Sequence, residues 1–290
     1  MTYTLHADTK LGQFQLKVSQ LERSINFYEN ILGFQTLSRS DQHAYLSVDG
    51  VNPLLILQEV KGAKVTPPNQ TAGLYHFAIL LPSRKELGLL LKNMIAHQIP
   101  LGSGDHGVSE AFYLSDPDQN GIEVYADRPR SQWEIDDHGH YVMTTEAVDV
   151  KSMLDVVNDE TFKGLPAETV LGHVHLHAHS LPEAVQFYRD VIGFEVVMDV
   201  SRMGATFLAA GRYHHHLGLN RWAGPQAPLR TSDAVGLSFY TIVVPTEEEL
   251  ARIQEHFQEL NQPFENDQTT LKVVDPNGVN VHFEVQTLAV

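Results

Sequence analysis

The sequence contains no cysteine. This excludes disulfides, cysteine-bound zinc, iron–sulfur clusters and thiol nucleophiles, and it suits a reducing compartment. Basic residues are scarce. Twenty Lys and Arg stand against 36 Asp and Glu, a formal net charge of −16. Such a surface repels phosphate backbones and anionic lipid, so neither nucleic acid nor membrane is an expected partner. No apolar run reaches the ~18 residues that a bilayer crossing needs. The opening MTYTLHADTK lacks the basic start and apolar stretch of a signal peptide, and a cytoplasmic location is the expectation. A hydrophobic content of 42% is ordinary for a globular protein, and 290 residues suggest two domains. The abundant residue is histidine. Of 16, seven fall in two short groups, at 173, 175, 177 and 179 and at 214–216.

The chain repeats itself. LGQFQLKVSQLERSINFYENILGF at 11–34 aligns without a gap on LGHVHLHAHSLPEAVQFYRDVIGF at 171–194, sharing Leu11/Leu171, Gly12/Gly172, Leu16/Leu176, Leu21/Leu181, Phe27/Phe187, Tyr28/Tyr188, Gly33/Gly193 and Phe34/Phe194. GLYHFAILLPSRKEL at 73–87 matches GLSFYTIVVPTEEEL at 236–250, and an Asp-Pro turn follows each, at Asp116-Pro117 and Asp275-Pro276. Each of the four modules opens on an alternating run that reads as a strand, such as 13–18 or 173–178. A polar residue or proline then starts a helix. In the first module Leu21, Ile25, Tyr28 and Leu32 recur at helical spacing, and Gly33 ends the run. Shorter strands are expected at 43–48, 53–58, 111–115 and 121–126. The order is βαβββ four times. Residues 9–127 hold modules one and two, and residues 171–290 hold modules three and four. A linker at 128–170 reads as loop (SQWEIDDHGH), strand (YVMTTEA) and short helix (DVKSMLDVVND).

Four βαβββ modules with LGH…LxxAxxFYxxxxGF and DPxxNGIEVY resemble the vicinal-oxygen-chelate superfamily, which holds glyoxalase I, bleomycin-resistance proteins and extradiol ring-cleaving dioxygenases. The resemblance covers everything but the linker. It implies an α+β fold of cupped mixed sheets, with a metal in a cup and one ligand from the first and last strand of each contributing module. The first slot lies seven residues before the helix-opening polar residue, and gives Gln13, His76, His173 and Phe239. The last slot lies seven residues after the Asp of the Asp-Pro turn, and gives Glu123 and His282. Modules one and three, registered on Gly50 and Gly211, give Leu54 and His215. Modules two and three are therefore filled: His76 and Glu123, His173 and His215.

Two histidines and a carboxylate are the facial triad of non-haem Fe(II) oxygenases. The resemblance is strongest to catechol 2,3-dioxygenases. In those enzymes the second residue of a His-His pair is the acid–base group, for which His215 aligns best within His214-His215-His216. A His and a Tyr also precede the ligand Glu, matched by His106 and Tyr113. It implies iron held by His76, His173 and Glu123, with Mn(II) an allowed substitute. The reactants implied are a small aromatic diol and O2, and strand edges leave room for a homodimer. In the best-known extradiol enzymes the whole set comes from the C-terminal two modules, whereas here half sits in module two and half in module three; either these two modules pair across the linker, or two partial sites exist.

Isolated histidines are more often structural than metal-binding, so the alternatives matter. On a strand, residues two apart share a face at a spacing of ~6.6 Å, so 173, 175, 177 and 179 cannot all hold one ion. His175 is the next candidate after His173, as a supporting partner. In 214–216 only alternate residues of a strand share a face, so His215 points opposite to its neighbours, and His214 or His216 takes its place if the register slips by one. For His282 a half-buried strand histidine is the plainer reading. Phe112, Tyr125, Phe207 and Trp222 are expected in core or pocket wall. The superfamily offers two rival functions. One is a glyoxalase-like lyase or isomerase using Gln13, His76 and Glu123, with Leu54 where that pattern needs a carboxylate. The other is a metal-free small-molecule-binding protein of the bleomycin-resistance type.

Overall fold

A computed structural model describes residues 3–137, 141–267 and 269–286. The first module comprises β1 (Lys10–Val18), α1 (Leu21–Phe27), β2 (Gln35–Arg39), β3 (His43–Ser47) and β4 (Pro53–Glu59). The second comprises β5 (Gly73–Leu80), α2 (Arg84–Ala96), β6 (Gly102–Asp105), β7 (Ser109–Ser115) and β8 (Gly121–Asp127). After α3 (Val150–Val157) in the linker, the third runs β9 (Val170–His177), α4 (Leu181–Gln186), β10 (Glu195–Val200), β11 (Ala205–Ala209) and β12 (Leu217–Asn220). The fourth runs β13 (Gly236–Val244), α5 (Glu247–Glu259), β14 (Glu265–Asn266), β15 (Thr270–Val274) and β16 (Asn280–Val285).

The modules form two eight-stranded mixed sheets, and the sheets do not follow the sequence halves. One has the order β14-β15-β16-β13-β1-β4-β3-β2, the other β10-β11-β12-β9-β5-β8-β7-β6. Module one thus pairs with four, and module two with three. The junctions are antiparallel: β1 on β13, and β5 on β9 with Ala78 opposite His173. The halves 9–127 and 171–290 describe the repeat, while hydrogen bonding joins the inner pair of modules and the outer pair.

Strand alternation decides which side chains reach the core. Phe77 and Ile79 of β5, Ile122 and Val124 of β8, and Val174 and Leu176 of β9 are buried in the main apolar core. Phe14 of β1 meets Phe77 there, with ring centroids 4.6 Å apart, tying the two sheets together. The intervening residues, His76, Glu123 and His173, face the concave side of the second sheet.

Two local features differ from the expected pattern. The helix that begins at Leu21 widens to a π-helical turn over Tyr28–Leu32, and its repeat does the same over Phe187–Ile192. In this arrangement Tyr28 Oη donates to Asp116 at 3.0 Å and Tyr188 Oη to Asp275 at 2.9 Å, locking each helix to the Asp-Pro turn of another module. Gly33 closes the turn at φ 85°, and a Cβ there would lie 2.6 Å from the Phe162 ring. In the linker, YVMTTEA forms no strand. Only single bridges occur, Ile135 with Tyr141 and Asp105 with Glu146, because two β-branched threonines and a valine here lack a continuous neighbour to ladder with. His138, Gly139 and His140 lie outside the described residues. No described helix is long and apolar enough to cross a membrane.

Candidate metal centre and active site

His76 on β5, Glu123 on β8 and His173 on β9 converge in the cup of the second sheet, all buried. The β5–β8 pairing is parallel and the β5–β9 pairing antiparallel, so three neighbouring strands each present one donor on the same face. His76 Nε2 and His173 Nε2 are 3.3 Å apart, and each is 3.1 Å from Glu123 Oε2. Bonds of about 2.1 Å meeting at right angles would put neighbouring donors about 3.0 Å apart, and tetrahedral angles about 3.4 Å. The observed triangle falls within that span. A proton on one ring nitrogen can bridge these atoms as hydrogen bonds; with both Nε2 atoms bare, the three lone pairs converge on one point and the set fits a divalent ion.

The protonation states agree. Burial alone would raise the Glu123 carboxyl, but His173 and His76 more than offset it and hold the group well below its ordinary value. Burial pushes His173 down to about 4, with Glu123 opposing. An ionised carboxylate beside neutral imidazoles is the state that binds a metal. His173 Nδ1 is buried without a hydrogen-bond partner among the described residues.

Around the triad lie two further groups. On one side Tyr113 stands opposite Glu123 in the β7–β8 ladder. Its hydroxyl is 2.7 Å from His106 Nε2, and His106 Nδ1 is 2.9 Å from the Thr144 carbonyl. A carbonyl can only accept, so His106 carries its proton on Nδ1 and accepts a hydrogen bond from the tyrosine at Nε2. Burial, then the Glu123 charge, pushes the Tyr113 phenol far up. It stays protonated.

On the other side the His215 ring lies 4.1 Å from that of His173 and 5.0 Å from Phe207. Residues 214–216 do not lie on a strand as the alternation argument assumed; they form the turn ahead of β12. His214 and His215 therefore do not point to opposite faces. Their Nδ1 atoms meet at 2.8 Å. His216 does turn away, accepting from the Ala210 amide through Nδ1 at 3.2 Å, beside Phe194.

The remaining candidates have other partners. His175 shares the cup face, its ring 5.0 Å from His76, and accepts from Asn220 Nδ2 at 2.9 Å. His177 is held between Asn220 and Asn69. His179 lies beyond the end of β9, against the Ala227 carbonyl. His282 is on the other sheet, stacked on Phe239 at 4.2 Å. Gln13 and Leu54 are also on that sheet, so Gln13, His76 and Glu123 are divided between the two sheets. Phe112 and Tyr125 are buried, and Phe207 walls the cup beside His175. Trp222 is half exposed and packs on Tyr75 and His175. A cleft of about 680 Å³ opens beside His76 and Tyr113, lined also by Tyr75, His177 and Arg230. That size suits a small ligand.

Sequence spacing did not single out Asp127, Asn220 or Tyr213. Asp127 follows Glu123 by four residues on one strand face, and Asn220 lies opposite His177 in the β9–β12 register. Only the pairing of strands across the linker makes those positions meaningful.

Comparison with known proteins agrees with this geometry. The family model described as Glyoxalase/Bleomycin resistance protein/Dioxygenase superfamily matches residues 10–124 and 170–283. A Bacillus subtilis (strain 168) protein named catechol-2,3-dioxygenase is 49% identical over 283 residues, covering 97% of this chain and 99% of that one. Biphenyl-2,3-diol 1,2-dioxygenase 3 of Rhodococcus globerulus is 31% identical over 124 residues, 41% of this chain and 64% of that one. Among solved structures, glyoxalase I from Zea mays superposes with a TM-score of 0.54 at 16% identity, over 96% of this chain and 92% of that one, a likeness of fold. With both repeats matched and the cupped sheets in place, this chain belongs to the glyoxalase/bleomycin-resistance/dioxygenase superfamily.

Proposed function

We propose that this chain is a non-haem Fe(II) extradiol dioxygenase, which cleaves a catechol-type ring at the bond beside the diol with both atoms of O2 entering the product. The observation that carries the reading is the buried His76–Glu123–His173 triangle, set in a chain 49% identical over nearly its whole length to a protein named catechol-2,3-dioxygenase. Two imidazoles and one carboxylate on one face leave positions open for a chelating diol and O2. The bound ion, Fe(II) or Mn(II), supplies Lewis acidity and lowers the pKa of a coordinated hydroxyl.

The chain's own groups do the rest. His215 is buried and its imidazole is held neutral, so it is ready to take a proton from the diol and later return it. Tyr113 donates a hydrogen bond to His106 Nε2 and keeps its oxygen lone pairs free to accept from a substrate hydroxyl. Phe207, Tyr75 and Trp222 form an apolar surround for an aromatic ring and restrict water. A reducing cytoplasm suits a cysteine-free chain that uses ferrous iron.

The division of Gln13 and Leu54 from His76 and Glu123 weighs against the glyoxalase-like reading. The test is anaerobic loading with Fe(II) or Mn(II), then catechol and air. A yellow ring-fission product that depends on the metal is expected. Turnover of a hemithioacetal instead would replace this reading with the lyase one, and tight catechol binding without turnover would leave a binding protein.

A further inference from the structure

We propose that Asp127 and His214 are positioning residues that fix the tautomer of His215 and so leave its Nε2 free to accept a proton. The inference rests on the acid–base reading of His215 and adds what sets that residue's proton inventory.

β8 presents Glu123, Tyr125 and Asp127 on one face, two residues apart each time. Glu123 goes to the metal triangle, and Asp127, at the strand's end, goes to His214. Asp127 Oδ1 is 2.9 Å from His214 Nε2. An ionised carboxylate only accepts, so His214 carries its proton on Nε2. Its Nδ1 is then a lone pair, and it lies 2.8 Å from His215 Nδ1. Two lone pairs at that distance repel, so His215 Nδ1 carries the proton and donates it to His214. The nitrogen left without a proton is His215 Nε2, which makes no hydrogen bond among the described residues.

The carboxylate is itself fixed. Tyr213 Oη donates to Asp127 Oδ2 at 3.0 Å, and with that proton committed, Tyr125 must donate to Tyr213 across their 2.8 Å contact. Trp133 covers the His214 ring at 5.3 Å, and His214 is 1% exposed. The His214 ring is enclosed, while the Asp127 carboxylate remains partly exposed. The line His215 Nδ1–His214–Asp127 thus holds the His215 proton on Nδ1 and keeps Nε2 bare. No proton moves to Asp127, and the carboxylate acts through orientation.

Asp127→Asn inverts this order. The amide can present N–H to His214 Nε2, which moves the His214 proton to Nδ1 and the His215 proton to Nε2, closing the base. The analogous carboxylate-to-amide change in a serine-protease triad lowers kcat by ~10⁴ through the wrong tautomer. Here a kcat loss of about 10²–10⁴-fold is expected, with KM within about threefold and metal content unchanged. His214→Gln keeps the polarity, since its carbonyl can accept from His215 while its amide donates to Asp127. His214→Phe does not. The glutamine variant should exceed the phenylalanine variant in kcat by about tenfold or more.

The readout independent of activity is the 15N spectrum of imidazole-labelled protein, metal-free and zinc-loaded. His215 should show a protonated Nδ1 and a bare Nε2 in the parent chain, and the reverse in Asp127→Asn. A parent chain with the His215 proton on Nε2, or an Asp127→Asn enzyme within about threefold of parent kcat, overturns the proposal. Equal kcat in His214→Gln and His214→Phe also overturns it. If the parent chain fails to cleave catechol, the dioxygenase reading falls, while the spectra still decide the relay.

Discussion

Acidifying the metal-free chain should unfold it well before its carboxylates titrate. His173, His175, His215 and His216 are all buried, and burial is the leading cause that depresses each. His173 is pushed down to about 4 and His216 to about 3, while His175 and His215 lie well below the ordinary value. Unfolding returns each ring to about 6.5. Between the folded and unfolded values the unfolded chain binds the extra proton. Stability therefore rises with pH in that window: it is fully present above about 6.5 and is lost as pH falls toward 4. Each ring contributes a slope of about 1.4 kcal/mol per pH unit once the unfolded ring is protonated, and four together at most about 5.6 kcal/mol per unit. Asp116, Asp275 and Glu284, raised by burial, act in the opposite sense, starting from unfolded values near 4. The histidines dominate from about 6.5 to 5. Against a total stability of about 5–15 kcal/mol, this is a large part. The assay is urea unfolding, followed by circular dichroism, of chelator-treated protein at several pH values from neutral to mildly acidic. The midpoint should fall steeply below pH ~6.5, and saturating metal should restore part of it by occupying His76 and His173. A midpoint that does not move across this range would refute the reading of these rings as buried and neutral.

Glu123→Gln should lose metal while keeping the fold, since the amide has the shape but not the charge that holds a divalent ion. A full metal complement in the variant would remove Glu123 from the centre. His76→Ala and His173→Ala should each empty the same site, while His282→Ala, altering a residue stacked on Phe239 in the other sheet, should leave metal content near normal; metal per chain measures all three, and the opposite pattern would move the site to the outer sheet. Tyr28→Phe should destabilise by about 1–3 kcal/mol, because it leaves the buried Asp116 oxygen short of a donor. Denaturant titration checks it, and an unchanged midpoint would mean that the lock between helix and Asp-Pro turn contributes nothing.

The sequence alone determined the repeat unit and the strand–helix order within it, and it pointed to the three residues that the fold brings together as a candidate metal site. The reason is local: alternation and helical spacing record which side of an element is buried, and equivalent slots recur at equal distances from a helix start or an Asp-Pro turn. His76, Glu123 and His173 were legible because each sits at such a slot on a regular strand. The same rule misjudged His214–His216, because those residues form a turn and the period of two holds only where a ladder enforces it. It misjudged YVMTTEA for the complementary reason, since β propensity without a continuous neighbouring strand forms no ladder. Only the tertiary structure decided that module two pairs with three and module one with four, because hydrogen bonds between β5 and β9 join residues about a hundred positions apart and leave no periodic trace in the chain. It also decided that Asp127, His214 and His215 form one line. Those contacts depend on the cupping of the second sheet, which brings the end of β8 against the turn before β12.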